Sequence, residues 1–166
     1  RKTVQTSRTG SEVKYSYDGN SQVTAIDTEN LDKDGTRVSG NEWLTTSYTY
    51  STHGDVLTMV EELTSGTTRT TTFEYDANQN RIRVIKPEGN KEKWTYNSRD
   101  LVATHVRGET AAVASTTTYT YDDNGNTLSK VRNATDQAFY EWDTQNRLIA
   151  ADVTDAAGAR QVDYEY

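Results

Sequence analysis

The sequence predicts an all-β fold, an antiparallel meander of hairpins. Three observations carry that expectation: a recurring pair of aromatic residues, a period of two around each pair, and turn chemistry after it. Self-similarity comes first, because a repeat decides the architecture before any local propensity does. Two aromatics separated by one residue occur at Tyr15-Ser16-Tyr17-Asp18, Tyr48-Thr49-Tyr50-Ser51, Phe73-Glu74-Tyr75-Asp76, Trp94-Thr95-Tyr96-Asn97, Tyr119-Thr120-Tyr121-Asp122, Tyr140-Glu141-Trp142-Asp143 and Tyr164-Glu165-Tyr166. The second aromatics fall at 17, 50, 75, 96, 121, 142 and 166, so the spacings are 33, 25, 21, 25, 21 and 24. The long first interval predicts a loop insertion near 27–42, where Asp34-Gly35 is a strong turn signal.

Within each copy, alternation places the two rings on one face and the residue between them on the other, as in Thr116-Thr117-Thr118-Tyr119-Thr120-Tyr121. That periodicity is a strand. The next residues, as in Asp122-Asp123-Asn124-Gly125-Asn126, tolerate positive φ or bond their own backbone, so the chain reverses there. Return strands are expected at 56–60, 81–85, 127–131 and 147–151, with further turns at 86–90, 133–137 and 155–159. An aliphatic residue stands seven positions after the second aromatic at Leu57, Ile82 and Leu128, but six after it at Val23, Val102 and Leu148. This predicts two turn lengths in alternation and, through register shifts or bulges, curvature. Residues 1–166 are expected to form one array of six to seven hairpin units.

Composition narrows the function classes. Only 26 of 166 residues are Val, Ile, Leu or Phe and the net charge is −7, a combination that alone suggests disorder. The 28 Thr, 11 Tyr and 3 Trp, with a single Pro at Pro87, argue against it, since these types favour a pleated surface. A thin aromatic core is expected, with Tyr121→Ala costing about 3 to 5 kcal/mol if that ring is core. Cysteine is absent, so neither a disulfide framework nor a thiolate zinc site is available. No stretch approaches the apolar length of a membrane helix, and scattered Lys and Arg leave no track for a phosphate backbone. Neither a membrane span nor a nucleic-acid partner is expected.

Catalytic candidates are sparse. His53 and His105 lie far apart in sequence and neither neighbours a nucleophile and base at workable spacing, while Glu61-Glu62 point to opposite sides of a strand. No catalytic residue, cofactor or metal is assigned. The acidic residue after each ring pair has two readings, a calcium ligand or an acceptor for backbone N–H groups in the turn. Asn97 and Ser51 at that position favour the second. Arg81, Arg99, Arg132 and Arg147 recur near the turns and are expected to form rim ion pairs. Rows of rings beside Asn, Asp and Thr also keep glycan binding open as an alternative function.

The motif Tyr-Asp-x-x-Gly-Asn-x-Leu over Tyr121–Leu128, with Trp-Asp-x-x-Asn-Arg-Leu over Trp142–Leu148, resembles the YD repeats of Rhs proteins, of the C component of insecticidal toxin complexes and of teneurins. The resemblance runs from Tyr15 to Tyr166 and rests on Tyr15, Tyr17, Asp18, Tyr48, Tyr50, Phe73, Tyr75, Asp76, Trp94, Tyr96, Tyr119, Tyr121, Asp122, Gly125, Tyr140, Trp142, Asp143, Tyr164 and Tyr166 as the structural repeat residues. It implies a ribbon of hairpins spiralling into part of a hollow shell, and the evenly recurring ring pairs are themselves expected to stack side by side and glue successive hairpins. For bacterial members it further implies a secreted or cell-surface protein whose full-length form encloses and delivers a C-terminal toxin. The implied partners are the remaining repeats and that cargo, with self-association through strand edges as a further expectation. The array is expected to continue past Tyr166, where the pattern would place Asp, and the family's self-cleavage chemistry matches no residue here.

Overall fold

The structure, a computed structural model, describes residues 1–6, 12–64 and 66–166. Its regular elements are strands: β1 (Lys2–Thr6), β2 (Glu12–Tyr17), β3 (Val23–Glu29), β4 (Trp43–Tyr50), β5 (Val56–Thr64), β6 (Thr67–Tyr75), β7 (Arg81–Ile85), β8 (Lys91–Tyr96), β9 (Val102–Arg107), β10 (Ser115–Tyr121), β11 (Thr127–Asn133), β12 (Asp136–Trp142), β13 (Leu148–Asp155) and β14 (Gly158–Asp163). The fold is the all-β antiparallel meander, each described pairing joining strands adjacent in sequence. Two compact units divide it, Arg1–Tyr75 with Val84–Gly89, and Asp76–Arg83 with Asn90–Tyr166.

In the first unit β1 to β6 pair in succession, and in the second β8 to β14 do the same. Each of the first six ring pairs closes an outgoing strand, whereas Tyr164 and Tyr166 follow the end of β14, and five of the second rings are described meeting the start of the return strand. Tyr17 pairs with Val23, Tyr50 with Val56, Tyr96 with Val102, Tyr121 with Thr127 and Trp142 with Leu148. The partner is six positions on in every case, so the expectation of two alternating turn lengths is wrong. What varies is only whether that sixth residue is aliphatic, and at Tyr50 it is already Val56.

A bulge accompanies each of these turns instead. The register shifts between Ser16 and Tyr17, Thr49 and Tyr50, Thr95 and Tyr96, Thr120 and Tyr121, and Glu141 and Trp142. The unpaired extra residues are Thr24, Leu57, Ala103, Leu128 and Ile149, each the second residue of its return strand. An extra residue at one fixed place adds local twist and bend to every hairpin, without any change of loop length.

The segment between β3 and β4 covers 30–42 and is a small hairpin of its own, held by an isolated bridge between Leu31 and Arg37. Asp27 to Glu29, inside the predicted insertion, belong to β3. Few side chains are deeply buried: among the described residues Val84, Ala138 and Ala151 are the buried hydrophobics, with Ser129 as the buried polar one. The twelve rings of the first six pairs are half-buried, while Tyr164 and Tyr166 are exposed. The expected core is therefore not a sealed one, and a ring such as Tyr121 has less burial to lose than a core aromatic.

Candidate functional site

The repeated site is the turn that follows each ring pair, together with the second ring of the next pair. Six turns, at 18–22, 51–55, 76–80, 97–101, 122–126 and 143–147, share one geometry. The first N–H donates to the fifth carbonyl at 2.8–3.0 Å, and the fourth N–H donates to the first carbonyl at 3.0–3.3 Å. The fourth residue has positive φ each time: Ser21 66°, Gly54 96°, Gln79 67°, Asp100 57°, Gly125 90° and Asn146 60°. Only Gly54 and Gly125 take this conformation without a Cβ penalty, and the other four hold it because the two flanking bonds fix the loop.

The first side chain of each turn organises it from within. Asp18 Oδ1 accepts from the N–H groups of Asn20 and Gln22, Asp76 Oδ1 from Asn78 and Asn80, Asn97 Oδ1 from Arg99 and Leu101, and Asp143 Oδ1 from Gln145 and Arg147. Asp122 Oδ1 accepts from Asn126 N–H at 2.8 Å, and Ser51 Oγ from His53 and Asp55. An oxygen acceptor is the requirement, not a charge, which is why Asn and Ser serve. Hydrogen bonding from Asn126 holds the Asp122 carboxyl below its ordinary pKa, and the Arg147 N–H does the same for Asp143. Among the described residues no cluster of three or more His, Asp or Glu is placed to hold a metal.

Successive turns are tied at their rims. Asn78 and Asn80 each donate a side-chain N–H to Asp100 Oδ1, at 2.9 and 2.7 Å, and Asn124 and Asn126 donate to Asn146 Oδ1 at 3.0 and 2.8 Å. In both cases the third and fifth residues of one turn grip the fourth of the next. These bonds hold Asp100 below its ordinary pKa. Arg99 fills the same role differently, donating to the carbonyls of Asp122 and Asp123 at 2.6 and 2.7 Å. Arg147 and Arg132 form ion pairs with Asp143 and Asp136, whereas Arg81 lies over the Trp94 ring at 5.1 Å. Arg99 departs from the ion pair expected of it.

The second rings join one hairpin to the one before. Tyr50 Oη donates to the Val23 carbonyl at 2.6 Å, Tyr96 to Arg81 at 2.9 Å, Tyr121 to Val102 at 2.8 Å and Tyr166 to Leu148 at 3.0 Å. Trp142 does the same with Nε1, to Thr127 at 2.8 Å. Each acceptor whose pairing is described is the residue that faces the preceding ring: Val23 opposite Tyr17, Val102 opposite Tyr96, Thr127 opposite Tyr121, Leu148 opposite Trp142. The reason lies in the ladder. Between hairpins the backbone pairing ends at Ala25–Ser47, Thr104–Thr118, Ser129–Phe139 and Ala150–Asp163, two residues short of each acceptor. The bulge splays the strands there and strands a carbonyl, and a donor on the end of a rigid ring reaches it. Partial burial raises the pKa of Tyr50, Tyr96 and Tyr121, keeping the donating proton in place.

The first rings pack across their own hairpin. Tyr15 faces Ile26, Tyr48 faces Met59, Trp94 faces His105, Tyr119 faces Lys130 and Tyr140 faces Ala151. Trp94 stacks on His105 with centroids 4.7 Å apart, and His105 Nε2 lies 2.9 Å from Glu92. Sequence reasoning set His105 aside as isolated, and only strand register brings it to Trp94 and Glu92. Tyr15 stacks on Tyr17 within one pair at 6.5 Å. Beside the backbone ladders between hairpins, polar ring tips reach carbonyls, and neither described ring stack joins one hairpin to the next as expected. On the opposite face, hydroxyl pairs Thr49–Thr58, Thr95–Thr104 and Thr120–Ser129 at 2.6–2.7 Å account for part of the Thr content.

A repeat built from a ring-pair hairpin, a five-residue capped turn and a ring-to-carbonyl stitch defines a class, the β-hairpin repeat sheets. A family model described as Teneurin YD-shell matches residues 2–166, and the chain belongs to that family. Among solved structures it is similar to that of TcdB2-TccC3, with TM-score 0.65, 14% identity and coverage of 99% of this chain and 10% of that one. The Tc holotoxin pore of Photorhabdus luminescens carrying the TccC3-D651A mutation is similar at TM-score 0.66 and 14% identity, again over 99% of this chain and 10% of that chain. The chain therefore spans about a tenth of the solved chains it matches. No curated protein matches it.

Proposed function

We propose that the chain is a non-catalytic wall segment, one continuous array of repeats within a larger shell. The parent is a secreted or cell-surface bacterial protein that encloses and delivers a C-terminal toxin. The observation that carries this reading is the stitch. It couples each hairpin only to the previous one and can be repeated without limit, whereas nothing in it converges on a reactive centre. The ring pairs, the acceptor after each pair and Gly125 act as the structural repeat residues. The family is a structural shell domain, and one solved relative is described as lacking a hypervariable C-terminal region, which supports a shell that carries an exchangeable end. Partners on this reading are the neighbouring repeats and the enclosed polypeptide.

The test is protease protection in the full-length parent. Its C-terminal polypeptide should resist digestion while the shell is intact and become sensitive once the shell is unfolded by denaturant. Equal sensitivity in both states contradicts enclosure.

A further inference from the structure

The ring face of the second unit carries a feature that wall-building does not use. His105, Arg107, Thr117, Tyr119, Lys130, Arg132 and Asp136 line one cleft. Register explains the gathering: His105 pairs with Thr117, Arg107 with Ser115 and Tyr119 with Lys130, so alternation sets these side chains on one face of three adjacent strands. Arg132 is offset by Asp136 and His105 by Glu92. No ion pair is described for Arg107 or Lys130, although Glu92 stands across from Arg107 in the β8–β9 register. Arg107 on β9 and Lys130 on β11 are exposed and flank β10, opposite Ser115 and Tyr119, so both heads are free to meet a ligand in the cleft.

The lining is also rich in donors. Guanidinium and ammonium groups donate only, so the complementary ligand presents several acceptor oxygens and negative charge. A polypeptide backbone would bring N–H groups that find few acceptors here. A second, apolar cleft adjoins this one and shares Tyr119 and Lys130, with Tyr140, Trp142, Thr127 and Leu148 as its other walls. Aromatic walls next to a cationic seat suit a ring with an apolar face that bears an oxyanion.

We infer that the paired clefts bind a sulfated or phosphorylated sugar ring, its oxyanion held by Arg107, Lys130 and Arg132 and its apolar face set against Tyr119 and the Tyr140–Trp142 wall. This site is independent of what a shell encloses. The test is calorimetric titration of the 166-residue chain at matched ionic strength with a heparin-derived sulfated disaccharide, the same disaccharide without sulfate, and inorganic sulfate. Saturable binding of the sulfated disaccharide is expected, at least tenfold tighter than either control. It should weaken at least tenfold in both Lys130→Gln and Arg107→Gln and stay unchanged in Lys33→Gln, a lysine exposed on the 30–42 segment. Thermal melts of each variant separate lost binding from lost folding. Absence of saturable binding, equal binding by either control probe, or equal loss in Lys33→Gln overturns the inference.

Discussion

A single acceptor atom organises each turn, and its replacement separates geometry from charge. Asp122→Ala removes the bond to the Asn126 N–H and should lower the thermal midpoint, whereas Asp122→Asn should retain most of it, as Asn97 does in its own turn. Thermal unfolding followed by circular dichroism checks both. This much was legible in sequence, because Asx chemistry needs only local residues. The ring tips were not, since their acceptors lie 15 to 27 residues upstream. Protonation gives a second residue-scale test. Tyr50, Tyr96 and Tyr121 have raised pKa values in the fold, so the stability they contribute is complete below the ordinary tyrosine value and is lost as pH rises through the folded values. Asp100, Asp122 and Asp143 are lowered, so theirs is complete above the ordinary carboxylate value and is lost as pH falls through the folded ones. Stability should form a plateau across neutral pH, falling at the acid and alkaline ends, with tyrosine absorbance showing a group of late-titrating rings.

Among the elements, the 30–42 hairpin shows how much of the pattern is reusable. Asp32 Oδ1 accepts from Asp34 and Thr36 N–H, and Gly35 has φ 79°, so this insertion carries the same five-residue turn as the repeats. Sequence reading placed it as a loop because it lengthens the first interval between ring pairs and carries Asp34-Gly35. Arg37 pins it to the sheet, pairing with Glu29 and Glu12 and lying 4.9 Å above the Trp43 ring, whose face also takes Lys14 Nζ at 3.4 Å. Arg37→Ala should speed amide exchange across 30–42 and leave β4 and β5 protected, a contrast that hydrogen exchange resolves by segment. The bulges were legible only as a possibility of spacing. Their place is set by where each turn returns its chain, and a pattern of aliphatic offsets obscured it.

For the whole molecule, pairing between sequence neighbours makes stability a sum of local terms, as in other repeat proteins. Within each unit every described strand pairing joins sequence neighbours. Removing 137–166 should therefore leave amide protection in the first unit unchanged while β11 becomes an unpaired edge with faster exchange. The all-β meander followed from the period of two and the turn residues because both are local. The shallow burial did not follow, since counting aromatics measures the apolar area available and not how much a single layer covers.

The central claim is that ring tips, through their donors, hold one hairpin to the next. Chemical denaturation of Tyr121→Phe against Tyr119→Phe tests it most directly, because both changes remove one oxygen while only Tyr121 donates to a carbonyl, that of Val102. Tyr121→Phe should lose roughly 1 kcal/mol or more, the cost of a hydrogen bond whose acceptor is left unmade. Tyr119→Phe should change stability by less than about 0.5 kcal/mol. Equal losses from the two, or none from Tyr121→Phe, would contradict the account.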